Sequence, residues 1–130
     1  MKMYCECSVS GEEGVRVILS FLAECGFRAG AQCDFKKISD DGEPGAILDS
    51  EEDVISEIME NNHNTILCIN ILSDSLFFST EKKVGLIRIT FHFDGWTIKD
   101  VSDMSSLLFS RLVIQTYRQV DGEFFNAYFE

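Results

Sequence analysis

The spacing of apolar residues changes period several times along the chain, and each change marks an element. Residues 2–9 alternate weakly between apolar and polar side chains, as a strand with one buried face does. Val15, Ile18, Leu19 and Leu22 then recur at helical spacing and Gly26 follows, which predicts an amphipathic helix over residues 12–25. A strand is expected at residues 31–37. Ser50 and Asp53 have the spacing of a helix cap, and Val54, Ile55, Ile58 and Met59 mark a short helix ending near Asn61 and Asn62.

The second half reads mostly as strands. Residues 65–72 are β-branched and apolar on both faces, which suits a central strand, and residues 76–79 are a shorter candidate. Residues 84–93 alternate clearly, with Ile87, Ile89, Phe91 and Phe93 on one face and Leu86, Arg88, Thr90 and His92 on the other. Asp94-Gly95 is a dipeptide favoured in two-residue hairpins, because both central positions need positive φ, so residues 96–99 are expected to return as a strand. Met104, Leu108, Leu112, Val113, Tyr117 and Val120 outline the longest helix, which Asp121-Gly122 ends, and residues 124–129 can add an edge strand. Residues 39–50 read as a loop inside the domain. The expected order is β-α-β-α-β-β-β-β-α-β. That is an α+β fold, one domain over residues 1–130, with a largely antiparallel sheet and about three helices packed on one side.

Composition supports a packed core. Of 130 residues, 45% are hydrophobic and 11 are Phe, too many for a disordered chain despite the charge. Acidic side chains outnumber basic ones by 22 to 11, giving a net charge of −11 and disfavouring nucleic acid or an anionic membrane as direct ligand. A basic protein remains a fitting partner. No apolar run approaches the ~20 residues of a membrane helix, and residues 1–10 contain no apolar signal core. Five cysteines, an odd number, point to reduced thiols and a cytoplasmic protein.

Candidate chemistry is sparse. Cys5 and Cys7 share one strand face, and with Cys25 and Cys33 they could form a four-sulfur zinc site, but the spacing lacks the paired knuckles such sites use. Cys68 lies within an apolar strand, so the cysteines read as buried thiols and no metal is expected. His63 sits in a polar Asn-Asn-His-Asn stretch, and His92 shares its strand face with Arg88 and Thr90. Gly11 to Gly14 enclose two carboxylates, the wrong sign for a phosphate cradle, and no nucleotide-binding or nucleophile-elbow motif is present. The acidic residues around Gly42 and Gly45 do not follow a calcium-loop pattern. No catalytic residue, metal or cofactor is expected.

The charge is concentrated. Between positions 40 and 60 lie Asp40, Asp41, Glu43, Asp49, Glu51, Glu52, Asp53, Glu57 and Glu60, with no Lys or Arg among them. Those nine carboxylates supply most of the −11; elsewhere 13 acidic side chains nearly balance 11 basic ones. Carboxylates in a first helical turn are favoured by the helix dipole, which accounts for Glu51 to Asp53. Asp53, Glu57 and Glu60 are expected together on the outer side of the helix, where like charges repel by a few tenths of a kcal/mol. A cluster that tolerates repulsion is either a solvated acidic face or a surface for an external cation, here a basic protein surface.

In size, acidity and the cluster over positions 40–60, the chain resembles the small immunity proteins of bacterial toxin–immunity systems, including those of contact-dependent growth inhibition. The resemblance implies an acidic surface that covers the active site of a cognate basic toxin, a nuclease in many such pairs, with Ile47, Leu48 and His63 as anchors adjacent to the segment; a monomer or weak dimer is expected. Two other functions fit less of the sequence. Type III secretion chaperones are also small, acidic and α+β, but open with a helix. A small enzyme would need Arg88, His92 and a carboxylate to converge on the polar sheet face.

Overall fold

The computed structural model describes residues 2–30, 33–39, 41–42, 44–116 and 125–129. The order is β1 (Met3–Val9), α1 (Gly11–Glu24), β2 (Asp34–Ile38), β3 (Pro44–Leu48), α2 (Glu51–Glu60), β4 (His63–Ile69), β5 (Ser75–Lys83), β6 (Leu86–His92), α3 (Ile98–Thr116) and β7 (Phe125–Phe129). One antiparallel sheet holds every strand, in the order β3-β2-β4-β5-β6-β1-β7. The fold is α+β, as the sequence predicts.

Alternation in the strands decides which face is covered. Cys5, Cys7 and Val9 of β1 lie opposite Phe91, Ile89 and Ile87 of β6, and Phe78 of β5 lies between Phe91 and Ile66 of β4. All are buried, and with Val15, Ile18, Phe21 and Leu22 of α1, Val54 and Ile58 of α2, and Leu108 and Leu112 of α3 they form one core. α1 sits between α2 and α3, and ion pairs tie it to both: Arg16 to Glu52 at 2.9 Å, and Arg111 Nε to Glu24 at 2.9 Å. The opposite sheet face has no helix over it among the described residues.

Two expectations fail locally. Residues 44–48 form β3, an edge strand, rather than a loop. Leu48 is buried and Ile47 faces away from the core, the alternation of a one-faced strand, but Pro44, Gly45 and neighbouring Asp residues mask it in the sequence. Residues 96–99 do not return as a strand. Gly95 takes φ 83, Trp96 N–H bonds the Phe93 carbonyl at 3.3 Å, and the Trp96 indole N–H donates to the Ser75 carbonyl at 2.9 Å. The chain then enters α3 at a cap where Thr97 Oγ1 accepts from the Asp100 N–H at 3.1 Å. β6 already pairs on both sides, with β5 and β1, so no ladder is left for a returning strand. The expected helix positions Tyr117 and Val120 and the stop at Asp121-Gly122 lie outside the described residues.

Candidate partner-binding surface

The acidic segment follows the sheet edge through β3 and onto the helix layer through α2. Asp40 and Glu43 lie outside the described residues, and Asp41 is exposed in the turn before β3, where the Ser39 hydroxyl donates to it. Gly30 takes φ 78, and a Cβ there would stand 2.5 Å from the Asp49 carbonyl oxygen. Only glycine combines that backbone with that approach, so the loop after α1 sets the entry to α2. Ser50 caps the helix, its Oγ accepting from the Asp53 N–H at 3.1 Å, and Glu51, Glu52 and Asp53 occupy the first turn.

Glu52 and Glu57 are paired with cations of the chain itself. Glu52 pairs with Arg16 of α1, which also holds Glu12 at 3.1 Å. Glu57 does not join Asp53 and Glu60 on an outward row. It lies half-buried, 3.0 Å from Lys37 Nζ, and the Asn61 amide donates to it at 2.9 Å. Lys37 stands opposite Ile66 in the register, hence on the helix-facing side of β2, and its long side chain reaches α2. Asp49, Glu51, Asp53 and Glu60 remain exposed and carry no ion pair among the described residues. Asp53 and Glu60 are separated by about 10 Å along the helix axis.

The far end of α2 is anchored by groups the sequence did not single out. Asn64, almost wholly buried on β4, donates through Nδ2 to the Glu57 carbonyl at 3.2 Å and to Thr80 Oγ1 at 3.2 Å. The Lys82 ammonium donates to the Met59 carbonyl and supplies positive charge where the helix dipole is negative. The acidic helix is therefore a fixed platform.

His63 and Leu48 leave the expected surface. Leu48 is core. His63 stands opposite Glu81 on the open sheet face, since its neighbour Asn64 points to the helices. The sheet separates it from the carboxylates of α2.

The registers arrange that open face in rows. One row crosses the sheet as Ile47, Lys36, Leu67, Phe77, His92 and Tyr4; the next is Thr65, Ser79, Thr90 and Glu6; a third is His63, Glu81, Arg88 and Ser8. The rows grade from largely apolar to hydroxyl to charged. A depression of about 170 Å³ lies at the charged end, lined by His63, Thr65, Ser79, Glu81, Arg88 and Thr90 among others.

Arg88 and His92 share this face but stand four residues apart, about 13 Å along the strand. Arg88 pairs with Glu6 at 3.1 Å, whereas His92 Nε2 lies 3.3 Å from Ser79 Oγ, with the Tyr4 ring edge-on to its imidazole at 5.1 Å. Burial holds the His92 imidazole below its ordinary value of 6.5; Asp94 opposes that shift and Lys2 adds to it. Cys5, Cys7 and Cys68 are buried thiols, and burial pushes Cys5 and the half-buried Cys25 up to about 11. Among the described residues, no three His, Cys, Asp or Glu side chains are grouped to hold a metal ion, and no helix is long and apolar enough to cross a membrane.

No family model matches the chain, and comparison with curated proteins and with solved structures finds no match.

Proposed function

We propose that the chain is a cytoplasmic binding protein that neutralises a basic toxin, of the nuclease kind, by laying its acidic helix-layer surface over the toxin's active site. The observation that supports this reading is the set of exposed carboxylates with no ion pair among the described residues: Asp49, Glu51, Asp53 and Glu60. Arg16 and Lys37 are occupied by Glu52 and Glu57, and the Lys82 ammonium by the Met59 carbonyl. A basic cleft that binds substrate phosphates offers the complementary charge. Such complementarity speeds encounter toward ~10⁸ M⁻¹s⁻¹ at low salt, and the bound carboxylates then stand where phosphates would. α2 is held at both ends, so little ordering cost is added on binding.

The test is capture of partners from the source lysate by wild type and by an Asp53→Lys/Glu60→Lys variant, at low and moderate salt. One basic protein held by wild type, weakened by salt and lost by the variant, is the expected result, and wild type should then inhibit that protein's activity. A partner indifferent to the charge reversal would remove the acidic segment from the interface.

A further inference from the structure

The open sheet face stands apart from the acidic segment, on the other side of the sheet. We infer that it is a self-association surface, on which a second copy of this chain packs face to face through the row Leu67, Phe77, His92 and Tyr4.

Three observations select a second copy. The first is charge. The chain carries −11, so most ways of bringing two copies together set like charge against like. On this face Lys36, Lys83 and Arg88 balance Asp34, Glu6 and Glu81, with Glu6–Arg88 and Glu81–Lys83 already paired at 3.1 Å and 2.7 Å. Packing here leaves both acidic layers on the outside of the pair. An oppositely charged partner has nothing to select on a neutral face, whereas a two-fold axis can bring the alternating signs of one copy against those of the other.

The second is area. Seven strands at about 4.8 Å spacing, each some seven residues long at about 3.4 Å, cover roughly 700–800 Å². A stable interface takes about 800 Å² from each partner, so two such faces suffice without any other element.

The third is the placement of exposed apolar residues. Phe77 is 36% exposed beside Leu67, and Ile47 is 52% exposed at the sheet edge. At the end of the sheet nearest this row, the turn between β4 and β5 carries Ile71 and Leu72, the latter 78% exposed. That turn is held by Asn70 Oδ1, which accepts from the Leu72 and Asp74 N–H groups at 3.0 Å each. Large apolar side chains on a fixed turn beside a pleated face form the rim of a sheet-on-sheet contact, with the two sheets about 10 Å apart.

Sedimentation equilibrium over roughly a thousandfold range of concentration, up to about 1 mM, tests the inference. Wild type should pass from 14.7 kDa to twice that mass as concentration rises. Phe77→Glu and Thr90→Arg should each stay at 14.7 kDa where wild type is dimeric, while Asp53→Lys/Glu60→Lys should dimerise no more weakly than wild type. Thr90→Arg changes a half-buried polar position and decides the question if Phe77→Glu does not fold. A wild type that stays at 14.7 kDa throughout overturns the inference, as does a dimer that survives both open-face variants. A monomer that instead holds a different protein through Phe77 also overturns it. None of these results touches the toxin-neutralising proposal, which rests on the other layer.

Discussion

On the helix layer, Asp49, Glu51, Asp53 and Glu60 stand exposed with no internal cation among the described residues, whereas on the open sheet face Arg88 meets Glu6 and Lys83 meets Glu81. The same chain leaves charge unmatched on one side and matches it on the other. Surface ion pairs contribute little to stability, so the difference is not a matter of folding energy. The difference bears on what each side suits: under the proposals above, the unmatched layer suits a basic partner and the matched face a neutral, close-packed one.

The largest effect that separates the two sides comes from neighbouring phenylalanines of β5. Phe78 is fully buried against the helices, so Phe78→Ala should cost about 3–5 kcal/mol, whereas Phe77→Ala on the open face should cost about 1 kcal/mol or less in the monomer; urea denaturation reads both. Next is the anchor of the acidic helix. Asn64→Ala strips the Glu57 carbonyl and Thr80 of a buried donor and should cost about 1–3 kcal/mol, while Thr65→Val, one residue on and facing out, should stay within about 0.5 kcal/mol.

Smaller effects sharpen the distinction between stability and recognition. Asp53 lies in the first turn of α2 and Glu60 in its last, so Asp53→Lys should lose and Glu60→Lys should gain about 0.3–1 kcal/mol, read from denaturation midpoints. Glu60 thus stands against its own helix dipole, which suits a residue serving a partner. The smallest effect is a pH slope from the open face. His92 binds its proton more weakly folded than unfolded, so its contribution is full above pH 6.5 and is lost as pH falls through the lowered value. His92→Gln should flatten the fall in urea midpoint between about pH 7 and pH 5.

Much of this architecture was legible in the residues, because alternation and helical spacing depend on local side chains alone. The faces of β1 and β6 and the core side of α1 follow directly from them. Two equally local signals are overridden by the tertiary structure. Asp94-Gly95 has hairpin chemistry, but the strand already paired on both edges and Thr97 to Asp100 form a helix cap. Pro44 and Gly45 have loop chemistry, yet pairing with β2 makes their segment an edge strand. The acidic cluster was visible as composition, but its division was not. That Arg16 lies 2.9 Å from Glu52 and Lys37 lies 3.0 Å from Glu57 depends on long-range packing, as does the separation of His63 from the segment. Asn64 falls in the polar stretch before the strand expected at residues 65–72; β4 starts at His63, and that puts Asn64 at a buried, inward position.

The central claim is that recognition of a basic partner belongs to the helix layer and not to the open face. Parallel capture with wild type, Asp53→Lys/Glu60→Lys and Phe77→Glu tests it directly, each variant first verified as folded. One basic partner should be bound by wild type and by Phe77→Glu, and lost by the charge-reversed protein. A partner lost by Phe77→Glu and kept by the charge-reversed protein would contradict it.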